Sequence, residues 1–473
     1  MDFINNLLSS FSDLLWGYPL IILLVGTHLF LTIRLKVPQR KIFKAIKLSI
    51  AKDPDSKGDI SQFGALTTAL AATIGTGNII GVATAIMLGG PGAVLWCWLT
   101  GVLGIATKYG EGFLAIKYRT VSEKGYMVGG PMYALEKGLH AKWAAVLFCL
   151  FTVLASFGIG STVQANAIAN MANEVIGVDR LYSGLIVAFL VGLVVAGGIK
   201  SISKVCTALV PFMAVFYVAG CLIIMGMNHD YLLPALQLIC SAAFKPEAAA
   251  GGVAGGSILL AARYGIARGL FSNESGLGSA PIAAASARTK NPVRQALVSS
   301  TGTFWDTVVV CAITGLVVIS TILSAVSDSG VTGDAHTLWA AASADGGLLS
   351  HLDGSTLAKF AFEHIPVIGA PILMVGLFTF AITTTLGWAL YATRAIEYLA
   401  GWQAKKYYVG IYLISIVLGA TISLGTVWTL ADIFNGLMAI PNLLALILLS
   451  GVIAKDTDKY LWHGNIDQDE AAE

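Results

Sequence analysis

Apolar residues recur along this chain in runs about as long as a bilayer is thick, separated by shorter polar connections. Eleven such runs lie near residues 14–35, 64–88, 92–117, 143–172, 181–199, 205–226, 251–287, 294–323, 365–394, 406–425 and 428–453. They predict an all-α integral membrane protein with eleven transmembrane helices. Two runs carry material unsuited to an uninterrupted helix. The second reads Ala71-Ala72-Thr73-Ile74-Gly75-Thr76-Gly77-Asn78-Ile79-Ile80-Gly81. The seventh reads Arg268-Gly269-Leu270-Phe271-Ser272-Asn273-Glu274-Ser275-Gly276-Leu277-Gly278-Ser279-Ala280-Pro281. Glycine, proline and small polar residues in such runs predict breaks, and broken backbone at membrane depth is tolerated only around a cavity or inside protein.

The positions of these breaks organise the chain. Residues 1–63 form an extra N-terminal helix and a basic loop, 64–226 a first group of five helices, and 227–250 a connector. Residues 251–453 form a second group of five, with a long loop at 324–364, and 454–473 a tail. Each group begins with a broken run, and because five is odd the groups cross the membrane in opposite senses. Interrupted helices at matching positions of inverted halves point to a transport site near the midplane. Gly77-x-x-x-Gly81 also suits a plain close helix contact. The Gly75-Thr76-Gly77 stretch lacks the spacing of a dinucleotide loop and follows no soluble strand, which excludes that reading.

Composition agrees with the pattern. Apolar residues are 56% of the 473 and charged residues 12%, against roughly 25% charged in soluble domains. The net charge of +2 gives no hint of nucleic acid. Positive charge is uneven, and that sets orientation. Arg34 to Lys57, Lys117 to Lys142, Lys200 and Lys204, Arg288 to Arg294, Lys405 and Lys406, and Lys455 and Lys459 fall on alternate loops, which should be cytoplasmic. The opposite side keeps Arg180, Lys245, Lys359 and an acidic loop around Asp328 to Glu363. The N-terminus is therefore expected outside and the C-terminus inside the cell membrane. The acidic N-terminus has no cleavage site, so the first span should be retained. Six single cysteines and seven scattered histidines form no metal or disulfide pattern. No Ser/His/Asp set, zinc spacing or phosphate loop suggests an enzyme, and no cofactor is expected.

Polar residues at membrane depth need partners. Gln164 and Asn166 lie two apart in the fourth span, on different faces. Arg263, Arg268, Glu274, Asp306 and Asp432 either serve a gate and coupling network or form structural ion pairs, for example Arg268 with Asp306. Glu111, near the cytoplasmic end of the third span, reads as interfacial.

Four segments carry a family resemblance: Ala72 to Ile79, Gly89-Gly90-Pro91-Gly92-Ala93-Val94-Leu95-Trp96-Cys97-Trp98, Arg268 to Pro281, and Thr383-Thr384-Thr385-Leu386-Gly387-Trp388. Together they resemble the alanine or glycine:cation symporter family of the amino acid–polyamine–organocation superfamily. Leu95 and Cys97 stand where the family more often has Phe and Met, both apolar. The resemblance implies a LeuT-type 5+5 inverted repeat and uptake of alanine, glycine or D-alanine with Na+, by a monomer in the lipid bilayer. It places substrate against Gly75, Thr76, Gly77 and Asn78, with Gln164, Phe271, Ser272, Gly276, Gly278 and Trp388 around it. It places Na+ among the carbonyls of Ala71 and Ile74 and the hydroxyls of Thr383 and Thr384. A proton-coupled or uncoupled carrier of the same fold, with Glu274 or another buried carboxylate carrying the proton, is the alternative. A channel or a non-transporting receptor is the rival from another class.

Overall fold

The computed structural model describes residues 2–51, 53, 56–244, 258–422 and 425–470. Lys52, Lys245, the end of the expected connector, the start of the seventh run and the last acidic residues lie outside these. The chain is mostly helical; among the described residues one two-stranded antiparallel sheet, Thr120–Val121 with Met127–Val128, interrupts the helices.

Among the described residues six helices are long and apolar enough to cross a bilayer: Asn6–Arg34, Lys142–Ile176, Gly198–Met227, Pro292–Asp328, Gly369–Ala400 and Val427–Leu448. The pair Gln62–Thr73 and Gly77–Gly89, bent by 53°, makes a seventh when counted as one span. Helices Ala93–Lys117, Arg180–Ala196, Ile258–Asn273 and Ala404–Thr421 occupy the other apolar runs. Local chemistry sets several starts. Ser61 accepts the Gly64 N–H at 2.9 Å to begin the second run, and Asn291 accepts the Arg294 N–H at 2.9 Å ahead of Pro292.

Burial sorts the helices into a centre and a rim. In Pro292–Asp328 and Gly369–Ala400, 72% of the most apolar stretch is buried, against 33% in Gly198–Met227 and Asn6–Arg34. The first two are thus central walls and the last two peripheral. Phe189, Leu193, Val215, Leu222 and Ile414 face outward as large exposed apolar side chains, a surface that suits lipid rather than water. The long segment after the eighth run holds three short helices, Ala335–Ser343, Leu348–His351 and Gly354–Glu363. Its Gly354 packs directly on Thr84, so this segment rests on the later half of the bent second run, Gly77–Gly89.

Among the described residues five segments take π geometry, and three of them, Gly77–Gly81, Ser156–Thr162 and Phe304–Cys311, lie inside the apolar runs. Such widenings free carbonyls and cluster at functional sites. Here these three adjoin Gly75, Gln164 and Asp306.

Candidate functional site

The first break is short. Helix Gln62–Thr73 stops, Ile74 turns extended with ψ 96°, and the chain resumes helically just past Gly75. The Gly75 N–H donates to Asn78 Oδ1 at 2.8 Å while the Asn78 N–H donates to the Gly75 carbonyl at 3.2 Å. Asn78 thus caps the resumed helix. The carbonyls at the end of Gln62–Thr73, Ala71 among them, have no further helical N–H to meet. The hydroxyl of Thr384 lies 3.5 Å from the Ile74 carbonyl. A Cβ on Gly75 would sit 2.5 Å from that hydroxyl, so a side chain here would push the Thr384 hydroxyl away from the break. Gly387 packs likewise on Ala72, so the ninth run lies along the break. Thr383 is turned elsewhere: its hydroxyl is shared between the carbonyls of Thr379 and Phe380, 3.0 Å from each, beside the Met213 sulfur.

The fourth run completes this side. Gly160 admits the Trp388 side chain against its backbone, and the Tyr412 hydroxyl lies 2.9 Å from the Gly160 carbonyl and 2.8 Å from that of Thr385. Gln164 donates through Nε2 to the Ile159 carbonyl at 3.0 Å, one of those freed by the π turn. Its Oε1 is buried and has no partner among the described residues. Thr76 Oγ1, Trp388 Nε1 and the Tyr391 hydroxyl share that condition, although Trp388 is 0% exposed. Buried polar atoms are seldom left unsatisfied, and these occur on the second, fourth and ninth runs, of which the ninth packs on both others.

Phe271 comes from the seventh run and lies across Gly77, where a Cβ would stand 3.3 Å from its ring. On its other side is a cavity of ≈110 Å³ lined by Asp13, Arg263, Arg268, Phe271 and Asp432. Phe271, 6.2 Å from Trp428 between ring centroids, therefore partitions this cavity from the break. The suggested Arg268–Asp306 pair does not form. Arg268 stacks over Phe271 at 5.8 Å, while Asp306 accepts from Asn78 Nδ2 at 2.7 Å, Ser272 Oγ at 3.0 Å and Thr307 Oγ1 at 2.6 Å. Neutral donors surround this carboxylate, and Asn78 and Ser272 are turned toward it.

The second break is longer and charged. Helix Ile258–Asn273 ends, and the chain runs non-helically to Pro281–Ala284. Glu274, Gly276 and Gly278 all have positive φ, at 54°, 95° and 87°. The N–H groups of Gly276 and Gly278 both donate to Glu111 Oε1 at 3.0 Å, and Asn442 Nδ2 donates to the same oxygen at 2.8 Å. Lys108 Nζ lies 3.7 Å from Glu111 Oε2. Ser279 donates to Glu274. Glu111 is 1% exposed, so the interfacial expectation is corrected: the short helix Pro281–Ala284 and the eleventh run cover it.

The structure brings Thr384 to Ile74 and Gly75, Gly387 to Ala72 and Phe271 to Gly77, and it sets Trp388 against Gly160, one helical turn before Gln164. It turns Asn78 and Ser272 to Asp306, and gives Gly276 and Gly278 to Glu111. Asn166 joins helices, its Nδ2 donating to the carbonyls of Gly419 and Ile422 at 3.0 and 3.1 Å. Sequence reasoning missed the Lys108–Glu111–Asn442 set. Its signal was two opposite charges three residues apart in an otherwise apolar run, a spacing that shares one helix face.

A model described as the sodium:alanine symporter family matches residues 1–473. The sodium/alanine symporter AgcS of Methanococcus maripaludis is 47% identical over 97% of this chain and 98% of its own. An uncharacterized transporter of Haemophilus influenzae is 47% identical over 99% of each. The crystal structure of MhsT in complex with L-phenylalanine superposes with a TM-score of 0.51, covering 85% of this chain and 98% of that one at 14% identity, a likeness of fold.

Proposed function

The chain belongs to the sodium:alanine symporter family, a family of membrane transporters rather than enzymes, and from that membership we propose that it takes up small neutral amino acids with Na+ by alternating access. Alanine and glycine are the foremost substrates, D-alanine a further one. In this reading eleven helices cross the membrane as an extra N-terminal span and two inverted groups of five, with the N-terminus outside. The likeness of fold to MhsT supports that arrangement.

The observation that carries the proposal is a set of buried atoms without partners among the described residues, one on each of the second, fourth and ninth runs: Thr76 Oγ1, Gln164 Oε1 and Trp388 Nε1. They include donors and an acceptor, which suits a zwitterion of small volume. The carboxylate takes the N–H groups at the start of the resumed helix, where the helix dipole favours an anion, and Gln164 Oε1 accepts from the ammonium. Phe271 closes the outer side. Na+ lies among the Ala71 and Ile74 carbonyls and the Thr384 hydroxyl, oxygen ligands that a hard cation prefers; Thr383, expected beside it, is turned to its own helix carbonyls. Na+ then orders the extended backbone at Ile74, which raises substrate affinity, and substrate raises Na+ affinity equally.

The test is uptake of labelled L-alanine into proteoliposomes under an inward Na+ gradient, against equimolar K+. Accumulation only with Na+ is the expected result, and uptake indifferent to Na+ sinks the cation site. The buried carboxylates of Glu274 and Asp306 favour one other reading, proton coupling, for which an inward proton gradient would drive uptake without Na+.

A further inference from the structure

We propose that Glu111 is an inner latch: its carboxylate occupies the anion cradle of the second break from within the protein, and must leave that cradle for the cytoplasmic side to open. The inference rests on the transport reading and assigns a role to a residue outside the substrate and cation sites.

The second break is shaped for an anion. Positive φ at Glu274, Gly276 and Gly278 turns successive N–H groups inward, the geometry of a backbone nest. A left-handed glutamate is strained, and such strain persists only where surroundings enforce it. The anion in this nest is one oxygen of Glu111, which takes three donors, the Gly276 and Gly278 N–H groups and Asn442 Nδ2. Asn442 also donates to the Gly276 carbonyl at 2.9 Å, which locks the loop from the opposite side. One carboxylate therefore ties the third, seventh and eleventh runs together.

The other oxygen is committed to much less. Glu111 Oε2 and Lys108 Nζ have no hydrogen-bond partner among the described residues and face each other across 3.7 Å. A cavity of ≈10 Å³ adjoins them, lined by Lys108, Glu111, Thr73, Pro281 and Ser299. Thr73 is the last residue of the helix that ends at the first break. A change at Ile74 and Gly75 on binding is thus passed through Thr73 to the Lys108–Glu111 pair. Lys108 gives the carboxylate an alternative partner when it leaves the cradle. The side is the inner one, since Glu111 lies one and a half turns before Lys117 at the basic end of its helix.

The test replaces the internal anion by an external one. Glu111→Ala leaves two N–H groups, an amide and an ammonium around a space that admits formate. In proteoliposomes the variant should accumulate alanine about tenfold less than the wild type, the loss of a charge-assisted latch. Formate at constant ionic strength should restore accumulation several-fold and raise the variant's Tm in detergent, and should alter neither in the wild type. Glu111→Gln, of equal size but uncharged, should also accumulate poorly. Wild-type accumulation by both variants overturns the latch, and so does a folded Glu111→Ala protein whose Tm and uptake ignore formate. If Glu111→Ala does not fold, Glu111→Gln decides. The Tm measurement needs no substrate, so a wild type that fails to take up alanine defeats the transport reading while formate still judges the cradle.

Discussion

The two breaks, which in the proposed inverted arrangement begin corresponding groups of helices, are built on opposite principles. At the first, only Ile74 and Gly75 leave the helix, no ionised side chain touches them, and Asn78 satisfies one N–H locally. At the second, residues 274–280 leave it, three of them with positive φ, and Glu111 takes up the converging N–H groups. The first keeps polar capacity in reserve and the second spends it internally. A neutral, barely interrupted helix suits a site that a visiting zwitterion and cation must complete. A long loop neutralised by a resident carboxylate is a joint, rigid until its anion is withdrawn.

The largest effect expected from this contrast is at the joint. Gly278→Ala places a Cβ 2.7 Å from Pro131 Cγ and 2.8 Å from Asn442 Cγ, at a φ of 87°. Strain and overpacking together should cost about 3 kcal/mol or more, seen as loss of monodisperse protein or a large fall in Tm. If that variant is as stable as the wild type, the joint is not rigid and the contrast fails. Next comes Gln164→Leu, which keeps bulk and removes the unpartnered oxygen. A hydrogen bond to a charged group is worth roughly 1.5–3 kcal/mol, so the KM for alanine should rise roughly 10- to 100-fold, with a fall in Tm from the Ile159 carbonyl left unpaired. An unchanged KM would mean that the reserve capacity is not for substrate. Smaller again is Gly75→Ala, whose Cβ meets the Thr384 hydroxyl at 2.5 Å. Half-maximal Na+ should rise about tenfold, near 1.4 kcal/mol, more than the KM for alanine does at saturating Na+. A rise confined to alanine would move the cation away from Thr384.

How much of this was legible in the sequence differs between the breaks for a physical reason. Both interruptions are local events, written in glycine, proline and small polar residues within apolar runs, and the structure has them at Ile74–Gly75 and 274–280. The helix Gln62–Thr73 ends where Gly75 and Thr76 weaken it, and the basic and acidic loops mark out the runs. Depth and partnership are tertiary. Glu111 looks interfacial by counting back from Lys117, because the chain alone does not reveal that Pro281–Ala284 and Asn442 fold over it. Arg268 and Asp306 look like a pair because opposite charges at membrane depth want each other. Yet three neutral donors from Asn78, Ser272 and Thr307 satisfy Asp306 first. Gln164 could be singled out as a buried amide, but only the folded chain shows which of its two polar ends is spent.

Asn166 offers the smallest and most discriminating change. It stands two residues beyond Gln164, in the same helix, with the same chemistry in a shorter side chain. Because it gives its amide protons to the Gly419 and Ile422 carbonyls of the tenth run and its Oδ1 accepts from Asn170 Nδ2, all three of its bonds stay inside the protein. Interhelical bonds of this kind average roughly 0.6 kcal/mol in a membrane protein. Asn166→Ala should therefore lower Tm slightly and leave the KM for alanine and the Na+ dependence as they were. Measured beside Gln164→Leu, it separates an amide that holds helices together from one kept in reserve for a ligand. Equal shifts in KM from both variants would show that affinity at the first break follows general helix packing rather than the Gln164 oxygen.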